Sequence, residues 1–176
     1  ERWHLGNIGF HQSEHNAHLL NHWPGLRVSV ESRVLVPLCG KSRDMMWLRR
    51  RGHRVAGVEL VELACVAFFE EQGFHFERVD EGRYIRFEGL GDAAGVTILC
   101  ADLFSLTPDD LGPVDAWYDR AAIVALPPDL WGRYADWVSL VLPSGCRGLM
   151  MTFEYPQSER GGPPFSVRLS DVKRYF

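Results

Sequence analysis

The chain has 176 residues, 46% hydrophobic and 24% charged, so it is most simply one domain, 1–176, that can bury a core without disulfide staples. Its 19 lysines plus arginines against 23 aspartates plus glutamates leave a net charge of −4, which offers no footprint for a polyanion and excludes nucleic acid as the expected partner. No apolar run reaches membrane-spanning length, Glu1-Arg2-Trp3-His4 is not a secretory signal, and four dispersed cysteines without a C-x-x-C pair predict reduced thiols in the cytoplasm.

Apolar and small residues recur at helical spacing from Gln12 to Trp23, and Pro24-Gly25 closes that segment. Next, RVLVPL (Arg33 to Leu38) reads as a buried strand, and Ser42 is the expected N-cap of a helix carrying Met45, Met46, Trp47 and Leu48 that ends at Gly52. The run Arg49-Arg50-Arg51 falls on that helix end, where cations complement the dipole and face water. RVAGV (Arg54 to Val58) is a second buried strand ending at Glu59-Leu60, followed by a helix over about Glu62 to Gln72. FHFERV (Phe74 to Val79) and YIRFEG (Tyr84 to Gly89) read as strands joined by a polar turn, and GVTILC (Gly95 to Cys100) as another. After them come VDAWYD (Val114 to Asp119), a helix over roughly Asp129 to Leu142, and CRGLMMTFEY (Cys146 to Tyr155) as the longest expected strand. This order predicts an α/β fold with a mostly parallel sheet and helices on both faces.

In such a sheet ligands sit beyond the carboxyl ends of the strands. Four groups are expected there: Leu38 to Lys41, Glu59, Asp102 and Asp119-Arg120. Gly40-Lys41-Ser42 is not a phosphate loop, because the first glycine of G-x-x-x-x-G-K-[ST] would fall on Leu35 and Pro37 supplies no N–H. Glu59 follows Gly40 by a step close to the roughly 20 residues at which an acid reaches the ribose hydroxyls of an adenosine ligand. With a single glycine where G-x-G-x-x-G would be needed, close approach to a pyrophosphate is not provided for. An adenosine ligand without one, such as S-adenosylmethionine, is the better expectation, against a bare structural turn at Gly40 and a solvated Glu59. Asp102 can accept from an adenine amino group or cap the turn at Leu103 to Leu106. Arg120 offers a planar donor fork to an anionic group, or pairs with Asp119.

His11, His15, His18 and His22 stack on one helical face, but H-E-x-x-H is missing and no cysteine lies nearby, so a solvated face is expected and no metal. Cys39 has no local base and reads as packing.

These stretches together resemble the thiopurine S-methyltransferase family. The resemblance rests on RWHLGNIGFHQ (2–12), RVLVPLCGKSRDMMWL (33–48), GHRVAGVEL (52–60), ADLF (101–104), YDRAAIVALPP (118–128) and GPPFSV (162–167), which span nearly the whole chain. It implies a Rossmann-like class I methyltransferase fold using S-adenosyl-L-methionine. Carried over residue by residue, it implies cofactor contacts at Trp3, Leu38, Glu59 and Arg120; Gly40 and Asp102 join them on physical grounds as well as position. Phe10 is implied to cover the cofactor and an aromatic acceptor, and Pro163 to Phe165 to add apolar wall. Many family members carry Leu-Ser-Glu after the acid, where this chain has Leu60-Val61-Glu62. The family's chains also extend before Glu1 and beyond Phe176.

The implied reaction is methyl transfer to an aromatic or heteroaromatic thiol, with selenium or tellurium species as family-type acceptors and no general base assigned. Arg120 would also serve the acceptor, holding an ionised thiol or a carboxylate. A monomer acting on a small-molecule thiol is expected. The rival readings are a nicotinamide-dependent oxidoreductase and a non-catalytic S-adenosylmethionine-binding module.

Overall fold

The computed structural model of the protein describes residues 14–120 and 122–176. Its elements in chain order are α1 (Ala17–His22), β1 (Arg33–Pro37), α2 (Asp44–Arg50), β2 (Arg54–Glu59), α3 (Glu62–Glu70), β3 (Phe76–Asp80), β4 (Ile85–Gly89) and β5 (Val96–Cys100). They continue with α4 (Pro108–Leu111), β6 (Ala116–Asp119), α5 (Ala122–Ala125), α6 (Trp131–Val141), β7 (Arg147–Met150) and α7 (Leu169–Tyr175).

The strands form one seven-stranded sheet in the order β3-β4-β5-β2-β1-β6-β7. Neighbours pair in parallel except where β4 meets β3 and β5, so the strand–helix alternation is interrupted by one antiparallel hairpin. That hairpin is the pair of polar-linked strands expected from 74–89. Side chains along each central strand alternate between two cores, as the two-residue period of a strand requires. Val34 and Val36 of β1 join Val55, Ile98 and Tyr118 under α1, α2 and α3. Leu35 joins Val58 and Leu99 against Ile123, Trp131, Tyr134 and Val138 on the opposite face. Helices therefore cover both faces. Phe68 and Phe69 of α3 are fully buried, and each such side chain stabilises the fold by about 1.5–3 kcal/mol relative to exposure.

Three expected elements are shorter than the pattern suggested. The first helix begins at Ala17, where the Asn16 side chain accepts from His18 N at 2.9 Å and caps it; the start expected at Gln12 lies outside the described residues. Ser42 is not the N-cap of α2, because Arg43 occupies that position. The strand expected over 146–155 stops at Met150. Its partner β6 ends at Asp119, so after Met151 N donates to Asp119 O at 2.7 Å there is no strand left to pair with. Phe153 and Tyr155 bond instead to Val167 and Ser166. The triple arginine also does more than face water: Arg49 donates to the carbonyl of Ala94 and Arg51 lies over the Trp47 ring.

Because β1, β2, β5, β6 and β7 are parallel, their carboxyl ends share one edge. The chain crosses from β1 to β2 on one side and returns to β6 on the other, so the topological switch point lies between β1 and β6. Backbone packing at this edge is tight. A Cβ at Gly57 in β2 would lie 2.7 Å from Cys39 Sγ and 3.1 Å from Met45 Sδ. Gly57→Ala is therefore expected to cost about 2 kcal/mol by overpacking, read as a lowered urea midpoint with an unchanged slope; a neutral result would mean the turn at Cys39 yields freely.

Candidate functional site

The chain leaves β1 through a sharp turn in which Leu38 takes φ +45° and Gly40 φ +53°. The left-handed region is ordinary for glycine and costly for leucine. Cys39 N donates to Val58 O at 2.9 Å, which fastens the turn to β2. Lys41, with its side chain only 10% exposed, pairs with Glu71 at 2.6 Å. Its ammonium is thus engaged at the end of α3, in keeping with the rejection of a phosphate loop.

Glu59 closes β2 with its side chain buried against this turn. Oε2 accepts from Gly40 N at 2.9 Å, and Oε1 accepts from Leu60 N and Val61 N, both at 3.0 Å. The acid and the glycine 19 residues before it are thus directly bonded. A carboxylate has about four lone-pair positions, so the three N–H donors leave one for a hydroxyl. Burial pushes the Glu59 carboxyl above its ordinary value of 4.5, and the same three N–H groups, Val61 foremost, pull it back.

The valine at position 61, where Leu-Ser-Glu would place a serine, has a visible consequence. Val61 is the N-cap of α3 and offers it no side-chain hydrogen bond, while its backbone is extended as a cap requires. Val61→Ser is expected to raise stability by about 0.5–1 kcal/mol, seen as a higher unfolding midpoint; no gain would show that the lost apolar contact of Val61 cancels the cap.

Asp119 ends β6 fully buried, accepting from Ala122 N at 2.9 Å and from Tyr134 Oη at 2.8 Å. Arg120 follows it, half-buried, and its Nη1 donates to Ser42 Oγ at 3.3 Å. Ser42 Oγ also accepts from Asp44 N at 3.3 Å, so this serine, though not the cap of α2, joins the Leu38–Lys41 turn to Arg120. Phe165 N donates to Val124 O at 2.6 Å, which hangs the 162–165 loop on the helix that follows Arg120. Leu38, Gly40, Glu59, Arg120 and Phe165 are thus placed around the carboxyl edge of the sheet.

Asp102 is exposed, and its Oδ1 accepts from Phe104 N at 3.0 Å as the cap of the following turn. It stands one residue past the bond from Ala101 N to Glu59 O. Trp3 and Phe10 lie outside the described residues. So does His11, whereas His18 and His22 stack with ring centroids 6.0 Å apart on the exposed face of α1. Among the described residues no three His, Cys, Asp or Glu side chains gather as a metal site. Cys39 is buried, and desolvation, followed by the charge of Glu59, pushes its thiol up, which disarms it as a nucleophile.

Sequence reasoning missed Asp44. It is buried at 2% exposure and accepts from Asn16 N and Tyr118 Oη, both at 2.8 Å. It ties the start of α1 to α2 and β6, directly behind Ser42. Burial, then the charge of Asp44, holds the Tyr118 phenol above its ordinary value. The signal available was a lone acid in the apolar pattern Asp44-Met45-Met46-Trp47-Leu48, which reads equally well as an ordinary first-turn acid.

Among the described residues no helix is long and apolar enough to cross a membrane. Solved structures share the fold. A methyltransferase from Anabaena variabilis superposes with a TM-score of 0.63 at 13% identity, over 91% of this chain and 69% of that one. A Burkholderia thailandensis 1,6-didemethyltoxoflavin N1-methyltransferase does so with 0.58 at 21%, over 88% and 59%. At such identity the likeness speaks for the fold alone. Sequence relatives are nearer: thiopurine S-methyltransferases of Nitrosospira multiformis and Xanthomonas axonopodis pv. citri are 47% and 49% identical over 176 residues, all of this chain and 78% and 79% of theirs. Since the family profile for thiopurine S-methyltransferase also matches residues 1–176, the chain belongs to that family of S-adenosylmethionine-dependent enzymes.

Proposed function

We propose that the protein transfers a methyl group from S-adenosylmethionine to a small aromatic or heteroaromatic thiol, with Glu59 holding the ribose of the cofactor. The observation that carries this reading is the Glu59 carboxylate, buried at the tip of β2, bonded to Gly40 N and still possessing an acceptor position. A hydroxyl donor fits that position, and a 2′-phosphate there would meet an anion. Leu38 and the Gly40 backbone would bound the cofactor on the β1 side, with Asp102 near its adenine. Trp3 and Phe10 complete the proposed set, Trp3 toward the cofactor and Phe10 as cover over cofactor and acceptor.

When bound, S-adenosylmethionine supplies a methyl group on a positively charged sulfur, which a thiolate can take up. The chain's own task is positioning and exclusion of water. Arg120, fixed by Ser42, would hold the ionised thiol or a carboxylate of the acceptor by charge-assisted hydrogen bonds. Phe165 would supply apolar wall. Heteroaromatic thiols ionise near neutral pH, so no residue is assigned as base. Soft selenium or tellurium anions suit the same arrangement.

Incubating the protein with labelled S-adenosylmethionine and a panel of aromatic thiols and metalloid species, followed by mass spectrometry, tests the reading. Methylated heteroaromatic thiols are expected. Binding of S-adenosylhomocysteine without transfer to any panel member would leave a cofactor-binding module instead, and tighter calorimetric binding of NADH than of S-adenosylhomocysteine would turn the site to nicotinamide chemistry.

A further inference from the structure

Two thiols stand behind the turn that holds Glu59. Cys65 lies in the first turn of α3 and its Sγ donates to Val61 O at 3.6 Å; Cys100 closes β5 and its Sγ donates to Leu60 O at 3.7 Å. The two sulfurs thus face the carbonyls of adjacent residues on one turn. One of the peptide units they grip, Leu60–Val61, held by Cys100, also carries the Val61 N–H that donates to Glu59 Oε1. Cys100 is, in addition, the register partner of Glu59 on the neighbouring strand. Cys65 is fully buried and Cys100 half-exposed. Their interaction lowers the Cys100 thiol and raises that of Cys65, so Cys100 is both the more acidic and the more exposed of the two.

We propose that Cys65 and Cys100 are an oxidisable dithiol, and that closing it to a disulfide loosens the grip of Glu59 on the cofactor; the second half of this rests on Glu59 being the sugar-binding acid. The oxidant is hydrogen peroxide. The Cys100 thiolate attacks the peroxide oxygen, the O–O bond breaks, and with one proton Cys100 becomes a sulfenic acid while water leaves. The Cys65 thiol then attacks the Cys100 sulfur; the S–S bond forms, the S–O bond breaks, and the Cys65 proton departs with hydroxide as a second water. In sum, two thiols lose two hydrogens to the peroxide. A disulfide brings the sulfurs to about 2.05 Å, well inside hydrogen-bonding distance. It draws the start of α3 toward β5 and strips both S–H donors from the Leu60 and Val61 carbonyls. The Leu60–Val61 peptide, whose N–H helps position Oε1, moves with them.

The test treats the reduced protein with hydrogen peroxide, digests it with trypsin without reductant, and titrates S-adenosylhomocysteine calorimetrically before oxidation, after it, and after dithiothreitol. The two cysteines fall in separate tryptic peptides, 55–78 and 87–120, each with no other cysteine. A linked pair of these peptides is expected, with affinity lowered about tenfold and restored by dithiothreitol. Cys100→Ser should bind like the reduced protein and ignore peroxide. Absence of the linked peptides overturns the dithiol, and a link that leaves affinity unchanged overturns its coupling to the turn. A reduced protein with no affinity for S-adenosylhomocysteine overturns the cofactor reading and the coupling with it, while the linked peptides remain readable on their own.

Discussion

Glu59→Gln is expected to lower the affinity for S-adenosylhomocysteine by about 10–100-fold, since the proposed ribose contact loses one hydrogen bond to a charged acceptor. The glutamine is nearly isosteric, so the effect is chemical. Its single oxygen can serve Leu60 N and Val61 N in place of Oε1, but its amide nitrogen then faces Gly40 N, donor against donor. The opposite rotamer saves the Gly40 bond and strands the other two. Either way an N–H at the ligand turn is left unpaired, and about 1–3 kcal/mol of stability goes with it.

The pH dependence separates the two consequences. Glu59 has its carboxyl raised in the folded chain, so the native state holds the proton more tightly than the unfolded state. Its contribution to stability is therefore fullest below the unfolded value and is lost as pH rises through the folded one. Ligand affinity runs the other way, since only the carboxylate accepts fully: it falls as pH drops through that raised value. Calorimetry from neutral pH downward should show this fall in the native protein and a flat profile in Glu59→Gln. Undiminished affinity in the variant would remove Glu59 from the site.

The placement of Gly40 and Glu59 at neighbouring strand tips was legible in the sequence, because a strand, a helix and a second parallel strand have nearly fixed lengths; the bond between them was not. The alternating cores were legible for a similar reason, as β-branched runs bounded by turn residues have one reading in a doubly covered sheet. What was not legible depends on residues far apart in the chain. Asp44 acquires its role only when Tyr118, 74 residues later, closes over it. The end of β7 is set by the last residue of β6, and no pattern within 146–155 contains that limit. Leu38 in the left-handed region contradicts local preference altogether, and the bond from Cys39 N to Val58 O is among the contacts that hold it there. Local rules failing at the ligand turn is the expected signature of a site whose backbone is held by its surroundings.

Asp119→Ala is expected to cost about 3 kcal/mol of stability, because it strands two donors inside the protein. Tyr134 is fully buried, and its phenol is held well above its ordinary value first by burial and then by the charge of Asp119. With the carboxylate gone, Tyr134 Oη and Ala122 N both lose their acceptor inside the core. Tyr134→Phe alone removes one donor from a carboxylate that keeps Ala122 N, so it should cost about 1–2 kcal/mol. In the double variant the phenol is no longer there to be stranded, and the loss should fall short of the sum by about 1–2 kcal/mol. Urea unfolding of the four proteins measures this directly, and strict additivity would mean the 2.8 Å contact carries no energy of its own. The same cycle read through catalysis separates scaffold from chemistry. Asp119 and Ala122 N set the turn that aims Arg120 at Ser42, so with Arg120 in its proposed acceptor-holding role Asp119→Ala should raise KM for the methyl acceptor more than it lowers kcat. Tyr134→Phe, which leaves that turn bonded, should change KM little.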